Sequence, residues 1–131
     1  MTNIHDMSAV ELLAAYKSKK LSPVEATNAV IAHIERWEPK LKALYAPDFG
    51  AARKAAAESE ARWQKGKPMG ALDGVPITIK ENIATKGVPV PLGTAATDLV
   101  PAAADAPASA RVREAGAVIL AKTTMPDYGM L

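Results

Sequence analysis

A chain of 131 residues, with a net charge of +2, 49% hydrophobic and 23% charged residues, has the size and make-up of one globular domain. It carries no cysteine, which excludes disulfides and cysteine-based metal or redox sites; its small, dispersed charge and 5% aromatic content argue against nucleic-acid binding. No apolar run approaches the ~18 residues of a membrane span, and Met1-Thr2-Asn3-Ile4-His5-Asp6 lacks the basic start and apolar core of a signal peptide, so the expectation is a soluble cytoplasmic protein.

Ser8-Ala9-Val10-Glu11 is a capping box, in which a serine hydroxyl and a glutamate three residues later satisfy free N–H groups at a helix start. Ala9, Leu12, Leu13 and Tyr16 then fall on one helical face, and Lys17-Ser18-Lys19-Lys20 closes the pattern. Ser22-Pro23-Val24-Glu25 is a second capping box with proline at the first helical position. Its stripe runs Thr27, Val30, Ile34, Trp37, and Pro39 is expected to end the helix. A third, alanine-rich helix runs from about Gly50 to Gln64, with Arg53, Lys54, Glu58 and Glu60 outward and Gly66 closing it.

Composition then shifts, with proline and glycine concentrated in residues 66–107. Val75 to Lys80 is a strand by its Val, Ile and Thr content. Thr85 to Gly93 contains too much proline and glycine for a helix or central strand and reads as a long ordered loop, a kind of segment that often carries function. Asp105 is the expected N-cap of a helix through Arg113, stopped by Gly116. Ala117-Val118-Ile119-Leu120-Ala121 is a continuous apolar run, the mark of a strand buried on both faces. The predicted domain is thus helical over 1–66 and strand–loop–helix–strand over 67–131, a crossover unit that implies a parallel α/β sheet. Two parallel strands leave an open edge, which invites self-association or completion by a complementary chain. The chain stops at Leu131 directly after the second strand with no polar tail, as if cut within a domain.

Lys80 stands at the end of the first strand. It is either a solvated lysine at a strand end or a lysine held by the sheet as a base. The second role needs its pKa lowered by roughly three units from ~10.4, through burial or a neighbouring cation such as Lys86. The serines are Ser8, Ser18, Ser22, Ser59 and Ser109, and none sits in G-x-S-x-G or begins S-x-x-K. Ser8 and Ser22 read as caps and Ser109 as structural; His5 and His33 give little support to a Ser–His–Asp triad. Glu81 and Asp127 read as a surface charge and a cap, and no ligand spacing calls for a metal or a cofactor.

The segments Asp73-Gly74-Val75-Pro76-Ile77-Thr78-Ile79-Lys80-Glu81-Asn82, Thr85-Lys86-Gly87, Asp105-Ala106-Pro107 and Arg113 to Gly129 resemble, in order and with matching gaps, the amidase signature family. The helical first third is similar less specifically. Thr124 departs from the family pattern, in which asparagine is commoner. The resemblance implies an α/β fold: N-terminal helices, then the first strands and crossover helix of an incomplete amidase-signature sheet. It also implies a hydrolase of carboxamide C–N bonds with a Ser–cis-Ser–Lys triad and no cofactor. Lys80 would be the triad lysine, and Tyr128, Gly129 and Met130 would line the pocket for a small amide substrate. The family's Gly/Ser-rich segment, with bridging serine, oxyanion hole and nucleophile, would follow Leu131, so the isolated chain is expected to be inactive. Two alternatives stand beside this reading. One is a subunit fragment of a glutamine-dependent amidotransferase; the other is a non-catalytic module that associates through its open sheet edge.

Overall fold

A computed structural model describes residues 3–130; Met1, Thr2 and Leu131, the two extremities of the predicted domain, lie outside the described residues. The order is α1 (Ala9–Lys17), α2 (Pro23–Leu41), β1 (Leu44–Tyr45), α3 (Phe49–Gln64), β2 (Pro76–Lys80), α4 (Pro107–Glu114) and β3 (Val118–Thr123). Single 3₁₀ turns at Ile4–Asp6 and Asp127–Gly129 lie outside these elements.

Both capping boxes form: the Ser8 and Ser22 hydroxyls accept from the Glu11 and Glu25 N–H groups, and each glutamate accepts from its serine's N–H. Contrary to expectation, Pro39 lies inside α2, which continues to Leu41 and ends at Lys42 in the left-handed conformation. A proline within the last turn removes one backbone hydrogen bond, and the Lys42 N–H still reaches the Glu38 carbonyl. Ala52 and Ala56 of α3 and Ile31 of α2 are nearly inaccessible, and they close the core against Val118, Leu120 and Ala121 of β3. Alanine there lets the α2 and α3 backbones lie close while covering one face of the sheet. The apolar stripe of α2 leaves this core at Trp37, which is 38% exposed.

The sheet order is β1–β3–β2. The predicted parallel pair is present, with Ile77 beside Ile119, Ile79 beside Lys122 and Lys80 beside Thr123, and the register shifts between Ile77 and Thr78. β1 falls within the stretch expected to be helical. It adds an antiparallel partner on the far side of β3, pairing Leu44 with Thr123 and Tyr45 with Lys122. β3 is therefore central and β2 is an edge strand among the described residues. Asp105 does not cap α4: Ala106 occupies that position without a side-chain bond. Pro107 at the first helical position has no N–H to satisfy, and Asp105 instead accepts from Arg113 and from the Lys86 backbone N–H.

Candidate active site

β2 is aimed by the residues just before it. The Asp73 side chain is fully buried and accepts from Arg62 Nε at 2.9 Å, Arg62 Nη2 at 2.6 Å and the Met69 N–H at 2.6 Å. Burial pushes the Asp73 carboxyl up, but these donors and the Arg62 charge outweigh it and hold the group below the usual carboxylate range. Trp63 Nε1 donates to the Asp73 carbonyl, and the buried Tyr16 hydroxyl donates to the Gly74 carbonyl at 3.0 Å. Gly74 has a φ of +84°, and a Cβ there would lie 2.7 Å from Ser59 Oγ and 2.8 Å from Pro23 Cγ. Helices α1, α2 and α3 thus converge on Asp73-Gly74 and set where the strand leaves the helical layer.

Lys80 closes that strand. Ile79 is buried and Ile77 half-buried on the strand's inward face, whereas Thr78 and Lys80 are exposed on the other, which α2 flanks. Thr78 and Thr123 line an open apolar groove with Ile34, Trp37, Leu41 and Leu44, and Lys80 is on the same face of the strand as Thr78. Lys86, the cation that could neighbour Lys80, is exposed, and its backbone N–H is bound to Asp105.

The buried lysine of the sheet is Lys122, 2% exposed on β3. Its Nζ donates to the Ile83 carbonyl, which also accepts from Thr85 Oγ1 at 3.4 Å. Burial pushes Lys122 below the ordinary lysine range, and the nearby Glu81 carboxylate opposes that shift. Glu81, read from sequence as a surface charge, is only 4% exposed; its carboxylate accepts from the Gly93 N–H at 2.7 Å. Strand alternation was the available signal: Ile77, Ile79 and Glu81 share one parity, so residue 81 follows the inward face. Lys122 stands beside Ile79 in the register, on that same face.

The predicted pocket residues form an exposed turn. Tyr128 is 57% exposed and Met130 80%, and Gly129 adopts a φ of +68°. The Tyr128 N–H donates to the Leu92 carbonyl at 2.8 Å, and Gly93 next to it is held by Glu81. Hydrogen bonds therefore link Lys80's neighbour, the proline-rich loop and the Tyr128 turn in one chain. All five serines are engaged or enclosed. Ser8 and Ser22 are caps, Ser18 bonds the Ala15 carbonyl, and Ser59 and Ser109 are wholly buried. No cluster of three metal-ligating side chains occurs among the described residues.

The Amidase family model matches residues 25–131. The chain belongs to the amidase family. It is 39% identical over 120 residues to a subunit of the mitochondrial glutamyl-tRNA(Gln) amidotransferase of Ixodes scapularis, covering 92% of this chain and 24% of that protein. It is 34% identical to the acylamidase of Rhodococcus erythropolis, covering 97% of this chain and 27% of the relative. Among solved structures, a bacterial aryl acylamidase of the amidase signature family superposes with a TM-score of 0.85 at 30% identity, over 97% of this chain and 27% of its own. The mixed α/β fold read from sequence is therefore that of amidases, and the chain spans about a quarter of the length of the relatives it matches.

Proposed function

We propose that this chain supplies the general-base lysine, Lys80, of a Ser–cis-Ser–Lys centre that hydrolyses carboxamide C–N bonds. One observation carries the reading. In a chain of the amidase family, Lys80 ends a strand whose start is locked by Asp73-Gly74 and whose following residue, Glu81, is anchored inside. A lysine so held has a defined backbone position while its side chain stays open on the sheet face. The desolvation a base needs would come from protein or substrate packed over that face. There the neutral amine would take the proton of a nucleophilic serine through the bridging serine as the serine attacks the amide carbonyl. It would then return the proton to the departing amine. The serine would come from outside the described residues, since each serine here is committed to a cap or to the interior. The Tyr128–Met130 turn would border the acyl or amine group of the substrate.

The similarity to an amidotransferase component supports a second reading, in which the same amide cleavage releases ammonia for transfer. The centre and the role of Lys80 are common to both.

The test replaces the matching quarter of the Rhodococcus erythropolis acylamidase with this chain. The chimera is expected to hydrolyse a simple acyl amide, and Lys80→Ala to lower its kcat by about 10²–10⁴-fold, the range of a general base. The 131-residue chain alone is expected to show no turnover. A chimera whose rate survives Lys80→Ala, or hydrolysis by the isolated chain, would overturn this reading.

A further inference from the structure

We propose that Lys122 is a positioning residue for Lys80: its buried ammonium clamps the turn that begins at Lys80, an inference that rests on the reading of Lys80 as the base. A lysine on the central strand, 2% exposed, is a costly occupant, because an ammonium loses its hydration there. Ion pairing does not account for it, since no carboxylate among the described residues lies within salt-bridge distance of Lys122. What the side chain does contribute is an N–H donor to the Ile83 carbonyl.

That carbonyl belongs to the residue whose own N–H donates to the Lys80 carbonyl at 3.0 Å, closing the turn. Within the same turn, the Glu81 N–H donates to the Thr123 carbonyl and the Glu81 carboxylate accepts from Gly93. The turn is thus held by β3's backbone, by the proline-rich loop and by Lys122. Register separates the two lysines: Lys122 stands beside Ile79 on the face turned to the Ile83 carbonyl, and Lys80 beside Thr123 on the opposite face, where its side chain is exposed. Lys122 therefore acts on Lys80 through the backbone of the turn. A methionine would fill the same apolar space without the desolvation cost, but it would leave the Ile83 carbonyl with only the longer Thr85 contact.

The primary test uses the 131-residue chain and hydrogen exchange followed by NMR. In the wild type the Lys122 Nζ protons should exchange slowly and show a scalar coupling through the hydrogen bond to the Ile83 carbonyl carbon. In Lys122→Met, the Ile83 and Glu81 amides should exchange at least tenfold faster, while Val118 and Ala52 stay within threefold of wild type. The chain has no cysteine of its own, so Lys122→Cys can be alkylated selectively in denaturant and refolded. Aminoethylation should restore Ile83 protection and propylation should not.

Unchanged Ile83 exchange in Lys122→Met, an acceleration shared equally by Val118 and Ala52, or rescue by the propyl group would each overturn the inference. If Lys122→Met does not fold, the wild-type coupling decides, and its absence overturns the clamp. In the acylamidase chimera, Lys122→Met should lower kcat at least tenfold with KM unchanged; an effect confined to KM would count against positioning. The exchange readout does not depend on turnover. A chimera that keeps its rate in Lys80→Ala while Ile83 still responds to Lys122→Met would remove the base reading and leave the clamp standing.

Discussion

Asp73→Asn isolates the contact that ties the strand carrying Lys80 to the helical layer. The substitution keeps shape and removes the charge that Arg62 meets through two hydrogen bonds, at 2.9 and 2.6 Å. Breaking a fully buried ion pair costs about 3–5 kcal/mol. Here Asp73 is wholly buried, but the Arg62 side chain is 28% exposed and can turn toward water, so the loss is expected to be nearer 2–3 kcal/mol. For a chain of this length each kcal/mol moves the midpoint by about 4 °C, giving a fall in Tm of about 10 °C by far-UV circular dichroism at pH 7. The pH dependence supplies an internal check. Asp73 is held below its ordinary range in the folded state, so its contribution is complete above the unfolded value of ~3.9 and is lost as pH falls through the folded value. The gap between wild type and Asp73→Asn should therefore narrow as the pH drops below about 4. A variant melting within about 2 °C of wild type at pH 7, or a gap of constant size into strong acid, would refute this account of the contact.

Two further substitutions probe the frame around Lys80. Tyr16→Phe removes the donor to the buried Gly74 carbonyl and should cost about 1–2 kcal/mol in urea unfolding. Burial pushes the Tyr16 phenol up, so the neutral group's stabilising contribution is complete below the unfolded value of ~10 and is lost as pH rises above it toward the folded value; Tyr16→Phe should flatten that alkaline decline. Gly93→Ala would set a Cβ 2.6 Å from the Pro126 carbonyl oxygen at a φ of +72°. It should cost about 1–3 kcal/mol by urea unfolding, with faster amide exchange at Tyr128, whose N–H bonds Leu92; unchanged exchange there would break the proposed link between the loop and the Tyr128 turn.

The elements most legible in the sequence are those with a short-range cause. Serine and glutamate three residues apart make both capping boxes from contacts within one turn. The β2 and β3 segments are visible as apolar, β-branched runs, and their parallel pairing follows from the crossover between them. Where expectation and structure part, the deciding partner is distant. Leu44 and Tyr45 are two residues with no pattern of their own, and they become a strand because the Thr123 edge is there to receive them. Asp105 has the chemistry of a cap, but Arg113 and the Lys86 N–H compete for its carboxylate, and Pro107 leaves the helix start with less to satisfy.

The candidate site divides in the same way. The order and spacing of Asp73 to Asn82 and of Arg113 to Gly129 carry the family and mark Lys80, because those segments are read along the chain. Which lysine is buried cannot be read in this way. Lys80 and Lys122 both follow apolar runs, and only the strand register, which sets an exposed Lys80 on the face that α2 flanks and Lys122 on the opposite face beneath the Ile83 carbonyl, separates them. Burial of a charge is a property of everything packed around it, and the groups that surround Lys122 come from β2, the turn after it and β1. The sequence by itself determined the helices, the parallel pair and the family, whereas the tertiary structure decided which charged side chains are exposed and which hold the frame.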